Sequence, residues 1–208
     1  MKCVKIHTMN FEIILATNNT HKLKEVREIL SPHKITVYGL NDVNLKPKEV
    51  DENGKNYFEN ALIKAKSVQE LTTMPIIADD SGLEIEAMNN EPGLKSARYA
   101  EMHGGHGKAI QVILDNLKNK PNRKARFVCD IVLLNMDDHP LLFEGIAPGS
   151  IAEAPFGEGG FDYDPIFLED TIGKTYAEMS QEEKNKVSHR GRALKKLLTY
   201  LIINGKAK

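Results

Sequence analysis

Apolar positions along the chain keep two different periods, and the points where one gives way to the other mark the predicted elements. Phe11 to Ala16 is a nearly continuous apolar run and reads as a strand. Lys22 to Leu30 carries Leu23, Val26 and Leu30 at helical spacing, with Pro32 just past its end. Ile35 to Tyr38 reads as a second strand, followed by a polar loop through Lys46-Pro47 and Asp51-Glu52-Asn53-Gly54. Asn56 stands in capping-box register with Glu59, ahead of a helix with Phe58, Ala61, Leu62, Ala65 and Val68 at its apolar positions. Ile76-Ile77-Ala78 follows Pro75 and does not alternate, which predicts a short strand buried on both faces. It is expected to stop at Asp79-Asp80-Ser81-Gly82, a run of turn-forming residues.

Beyond that turn, Leu83-Glu84-Ile85-Glu86-Ala87 alternates like a half-exposed strand. Lys108 to Leu117 has Ile110, Ile113, Leu114 and Leu117 at helical spacing. Arg126 to Leu134 and Leu141 to Ile146 predict a hairpin around Asp137-Asp138-His139-Pro140. Ser180 with Glu183 forms a second capping box opening a helix at Gln181, and Leu194, Leu197, Leu198 and Leu201 mark the last helix. Early alternation of strand and helix, then a strand-rich middle, predicts an α/β fold with a mixed sheet and an antiparallel extension.

Composition narrows the partners. A formal net charge of −1 provides no global basic field for nucleic acid or an anionic membrane. Any polyanion bound must therefore be small and held by a local cluster. Cys3 and Cys129 form no CxxC and no zinc-finger spacing, which fits a reducing cytoplasm. No apolar run approaches the roughly 18 residues of a membrane span. Residues 1–9 carry Lys2, Lys5 and His7 without the apolar centre of a secretory signal. They are expected to be a disordered extension before a single domain spanning 10–204, with Met1 or Met9 as the start.

Acids at the carboxyl end of a buried strand lie where open α/β sheets place their ligands. One of Asp79 and Asp80 is therefore expected to face a cleft, where it can hold Mg²⁺ or take a proton from water. Thr17-Asn18-Asn19-Thr20-His21-Lys22 links a strand to a helix N-terminus, where backbone N–H groups, the helix dipole and Lys22 suit a phosphate. It lacks the glycine spacing of a Walker P-loop. Glu52, in the loop before the second helix, is a possible metal partner for Asp80, and Lys64 lies on that helix just over a turn past Asn60.

Three further segments carry candidate chemistry. Gly157-Glu158-Gly159-Gly160 leads into Phe161-Asp162-Tyr163-Asp164-Pro165, where an aromatic face can stack on a nucleobase and a carboxylate can accept from ring N–H groups. Lys184 and Ser188-His189-Arg190-Gly191 follow, with Arg190 able to grip phosphate and His189 able to donate to a keto oxygen. His103-Gly104-Gly105-His106 offers two imidazoles without a third metal ligand nearby and reads as a flexible lid.

Six of these pieces together resemble the Ham1/RdgB family, the inosine triphosphate pyrophosphatases. They are Leu15-Ala16-Thr17-Asn18-Asn19, Phe58-Glu59-Asn60-Ala61, Ala78-Asp79-Asp80-Ser81-Gly82, Ser96-Ala97-Arg98-Tyr99, Gly159 to Phe167, and Ser188-His189-Arg190-Gly191. They stand in the family's order and reach from about Phe11 to Leu201.

The resemblance implies an elongated mixed α/β sheet with flanking helices, folded as two lobes around a central cleft. It implies a Mg²⁺-dependent homodimer converting ITP, dITP or XTP to the monophosphate and pyrophosphate. Asp80 corresponds to the catalytic base and a Mg²⁺ contact, and Glu52 to a second metal ligand. Thr17 through Lys22, with Ser81, correspond to the phosphate site. Phe161 to Asp164 correspond to the base site, and Lys64, Lys184, His189 and Arg190 to further substrate contacts. Many members have glycine where Asn18 and Asp162 stand here. A Maf-like pyrophosphatase and a non-catalytic nucleotide sensor are the alternatives.

Overall fold

The computed structural model describes residues 10–207. The expected extension at 1–9 lies outside the described residues. In chain order the elements begin β1 (Phe11–Leu15), α1 (Thr20–Leu30), β2 (Ile35–Gly39), α2 (Tyr57–Gln69) and β3 (Ile76–Ile85). There follow β4 (Glu91–Pro92), α3 (Ser96–Met102), α4 (His106–Leu117), β5 (Lys124–Leu134) and β6 (Leu141–Ile151). β7 (Phe167–Glu169), α5 (Gln181–Val187) and α6 (His189–Ile203) complete the chain. The strands form one sheet in the order β2-β1-β3-β5-β6-β7, with β4 pairing β3. β1 is parallel to β2 and β3, and every pairing beyond is antiparallel. The expected mixed sheet with an antiparallel extension is what forms.

The main departure concerns Asp79 to Gly82. They do not turn the chain: β3 continues through them to Ile85, absorbing the separate strand expected at Leu83. β5 pairs with β3 over its whole length, from Ile76↔Leu134 to Ile85↔Ala125, so backbone pairing overrides local turn preference. β1 leaves after Leu15↔Ile77, which frees that edge of β3 where the two acids stand.

Gly82 permits a close approach at the same place. A Cβ there would lie 2.1 Å from the Gly93 carbonyl oxygen and 2.8 Å from the Tyr57 hydroxyl.

Local signals hold at several helix ends. Asn56 accepts from the Glu59 N–H at 2.8 Å, but Glu59 reaches the Lys55 N–H rather than that of Asn56. The Ser180–Glu183 capping box closes both ways. Three apolar clusters support the sheet. One lies under α1 and α6, with Ile13, Ile77 and Ile131 from the strands. A second lies under α2 on the opposite face, with Ile14, Ile76 and Val132. A third packs Leu83, Ile113, Phe127, Tyr163 and Tyr176 around the far ends of the long strands.

Candidate active site

A cleft of about 660 Å³ opens where β1 leaves β3. Its lining brings together Thr17, Asn18, Asn19, Lys22, Glu52, Lys64, Asp80, Ser81, Phe161 to Asp164, Lys184, His189 and Arg190. Thr20 and His21 are absent from that wall. Asn19 caps α1 by accepting from the His21 and Lys22 N–H groups at 2.9 and 3.1 Å, so two of the expected phosphate donors already have a partner. His21 instead stacks on Phe161, with ring centroids 5.2 Å apart. Asn18 is not among the positive-φ residues, whereas Asp162 is, with φ 56°.

Adjacent side chains on a strand point to opposite faces, and this divides the two acids. Asp80 faces α2, where Asn60 Nδ2 and Lys64 Nζ each donate at 3.1 Å. Lys64 also reaches Glu52 at 2.8 Å, so one ammonium bridges both candidate metal ligands. The Arg98 guanidinium donates to the Glu52 backbone carbonyl and ties that loop to α3. Burial pushes the Asp80 carboxyl above its ordinary range, outweighing the opposing pull of Lys64, Lys22 and Asn60.

Asp79 faces α1 and α6. Lys22 approaches it at 3.1 Å and Arg190 at 3.0 Å. Burial acts to raise its carboxyl, but Lys22, Arg190 and Lys64 hold it well below the usual range. Arg190 also pairs with Glu25, Glu25 with Lys184 at 2.8 Å, and Lys184 with Asp164 at 2.6 Å. A chain of six alternating charges thus runs Lys22, Asp79, Arg190, Glu25, Lys184, Asp164, buried throughout except at the half-buried Lys22. It joins the loop after β1 to the Phe161–Asp164 segment.

Lys184, His189 and Arg190 are accordingly buried rather than displayed at a helix flank. The His189 imidazole stacks on Phe127 at 4.5 Å, and burial, with Arg190 nearby, holds it neutral. Asp164 accepts from the Phe161 N–H at 2.8 Å and from Lys184, so it braces the loop. Lys184 Nζ lies 4.3 Å over the Phe161 ring.

Glu25 and Asn60 escape the sequence reading as site residues, while Asp79, one of the two acids expected at the strand end, is the one that turns to Lys22 and Arg190. Glu25 leaves a faint signal, as an acid one turn after Lys22 beside the apolar Val26. His103-Gly104-Gly105-His106 is a corner between α3 and α4, with α4 starting at His106 instead of Lys108.

Fold and cleft define an α/β protein whose pocket ranges lysines and arginine beside a pair of carboxylates. The sequence profile of the Ham1 family matches residues 13–200, and the chain belongs to that family. The dITP/XTP pyrophosphatase of Treponema denticola is 42% identical over 186 residues, 88% of this chain and 94% of that protein. That of Thermus thermophilus is 45% identical over 90% of both chains, and that of Escherichia coli K12 is 41% identical over 91% of this chain and 98% of its own. A Ham1 protein of Coxiella burnetii superposes with a TM-score of 0.82 at 39% identity, covering 92% of this chain and 98% of that one. The Staphylococcus aureus Ham1 protein gives 0.81 at 37%, covering 93% and 99%.

Proposed function

We propose that this chain hydrolyses non-standard purine nucleoside triphosphates (ITP, dITP and XTP) to the monophosphate and pyrophosphate. It would do so as a Mg²⁺-dependent cytoplasmic homodimer that clears such nucleotides from the pool. The relatives named dITP/XTP pyrophosphatase, matched over nine-tenths of the chain, support the substrate class. The observation that carries the chemistry is Asp80, a buried carboxyl of raised pKa at the cleft edge, with Glu52 tied to it through Lys64.

The donor set fits Mg²⁺. Among the described residues no group of three His, Cys, Asp or Glu side chains is placed for a metal, but Mg²⁺ characteristically uses one or two carboxylates plus substrate phosphates. The Lys64 ammonium already sits between Asp80 and Glu52, so the two carboxylates converge on a cation. Bound there, Mg²⁺ would neutralise phosphate charge.

The protein's own groups supply the remainder. Lys22 and the Thr17–Asn19 loop hold the phosphate chain, and Lys64 orients Asp80. Asp80 takes the proton of the water attacking the α-phosphorus, and pyrophosphate leaves. Phe161, on which His21 stacks in this structure, would take the purine in place of that imidazole, and His189 and Arg190 line the cleft from α6. On this reading Lys184, His189 and Arg190, which all line the cleft, would offer donors to the 6-keto oxygen of the purine, where adenine carries a 6-amino donor, a mismatch that discriminates strongly.

A Mg²⁺-dependent panel of ITP, XTP, GTP and ATP tests this reading. It expects rapid release of IMP and pyrophosphate from ITP, with ATP nearly inert. IDP with orthophosphate would refute it, and tight ITP binding without products would make the protein a sensor.

A further inference from the structure

The pairing of His106 with Asp162 lies at the same cleft and has no part in the chemistry above. His106 Nε2 stands 3.1 Å from Asp162 Oδ1, and both residues line the cleft. A carboxylate only accepts, so the pairing holds Oδ1 in the form of the imidazole that carries its proton on Nε2. The imidazole also meets the buried Tyr163 ring edge-on at 5.2 Å, and the Tyr163 hydroxyl donates to the Ser96 carbonyl at 2.8 Å. His106 is therefore positioned against two consecutive residues of the segment assigned to the base.

Backbone conformation brings the two groups together. Gly104 and Gly105 have φ of 77° and 110°, a region L side chains rarely adopt. A Cβ at Gly105 would meet nothing within 4 Å, so the requirement there is conformational rather than steric. The two glycines turn the chain so that α4 begins with His106 at the cleft. Asp162 also lies at positive φ, where a non-glycine residue is disfavoured. The contact spans residues 56 positions apart, joining the α3–α4 corner to the base segment.

We propose that His106 sets base selectivity by occupying Asp162. This rests on the purine-binding reading of Phe161 to Asp164. Hypoxanthine offers a carboxylate one donor on its pyrimidine edge, N1–H. Guanine offers two side by side, N1–H and the 2-amino group, which match the two oxygens of a free carboxylate. Xanthine instead turns a 2-oxo acceptor toward it. With Oδ1 engaged by His106, one of its lone pairs is taken and the carboxylate is turned toward the imidazole, so paired acceptance from N1–H and the 2-amino group is weakened and guanine loses much of its advantage. Released, Asp162 recruits guanine and repels xanthine.

The test compares kcat/KM for GTP, XTP, ITP and ATP in the full chain. His106→Ala is expected to raise the GTP/ITP ratio about tenfold and lower XTP/ITP. His106→Gln retains a donor and is expected to keep both ratios near wild type. Adding Asp162→Gly or Asp162→Asn to His106→Ala is expected to abolish the gain, since neither residue offers a carboxylate. Unchanged ratios in His106→Ala, or an equal rise for GTP, XTP and ATP, would overturn the proposal. Should His106→Ala fail to fold, Asp162→Asn alone decides: a GTP/ITP ratio above wild type overturns it. Failure of the wild type to hydrolyse ITP would refute the underlying function instead.

Discussion

Asp79 and Asp80 are neighbours in sequence and face opposite sides of one strand. Asp79 binds Lys22 and Arg190 beneath the cleft, and Asp80 meets Asn60 and Lys64 beside it. The first carboxyl is held well below its ordinary range and the second above it. Pairs of acids pushed apart in this way commonly divide roles, one structural and one exchanging protons.

The two positions should therefore fail differently. Asp80→Asn is expected to lower kcat for ITP by about 10²–10⁴ while binding is largely retained, as for loss of a general base. Asp79→Asn should destabilise the fold by about 3 kcal/mol, because Arg190 and Lys22 lose a buried counter-charge. Urea melts beside kinetics separate the cases, and an Asp80→Asn enzyme of normal kcat would remove Asp80 from the chemistry.

Glu25 holds both Arg190 and Lys184. Glu25→Gln is expected to cost about 2–4 kcal/mol by leaving two buried cations poorly compensated. Burial opposes ionisation of Glu25, yet Arg190 and Lys184 lower its carboxyl overall, as Lys22 and Arg190 do for Asp79. A carboxyl lowered on folding stabilises fully above its unfolded value near pH 4, and that stability is lost as pH falls. The wild-type urea midpoint should thus drop steeply between pH 5 and 3, and the variant's less so.

Asp130 carries the opposite sign. It pairs with Asp80 across β3 and β5 and with Glu144 across β5 and β6, and its Oδ1 is buried without a partner. Burial, then Glu144 and Asp80, push its carboxyl up to about 6. A carboxyl raised on folding favours the fold at low pH and loses that contribution as pH rises through the folded value. Asp130→Asn should therefore stabilise the protein by about 1–2 kcal/mol at pH 7.5 and by less at pH 4.5. Equal effects at both pH values would contradict this.

Phe161→Ala should weaken binding of ITP, XTP and GTP alike, by about 1–3 kcal/mol, if the ring is the stacking face. An unchanged KM for every base would show that it is not.

Much of the fold was legible because its signals are local. Asn56 and Ser180 cap the predicted helices, and the long hairpin closes where Asp137 to Pro140 predict it. The course of β3 was not legible, since Asp-Asp-Ser-Gly favours a turn and only pairing with β5 keeps it extended. Lys184 and Arg190 read as substrate contacts, but their burial in an ion-pair chain was not legible for a similar reason. Arg190 meets Glu25 across 165 residues, and no local pattern reveals a partner so distant. α3 and the short β4 and β7 lack a long enough periodic run to announce themselves.

Water attacks the α-phosphorus on the proposed mechanism, and hydrolysis of ITP in ¹⁸O-water decides whether it does. A single turnover is expected to place one ¹⁸O in IMP and none in pyrophosphate. Label in pyrophosphate, from attack at the β-phosphorus, or in orthophosphate released beside IDP, would contradict it.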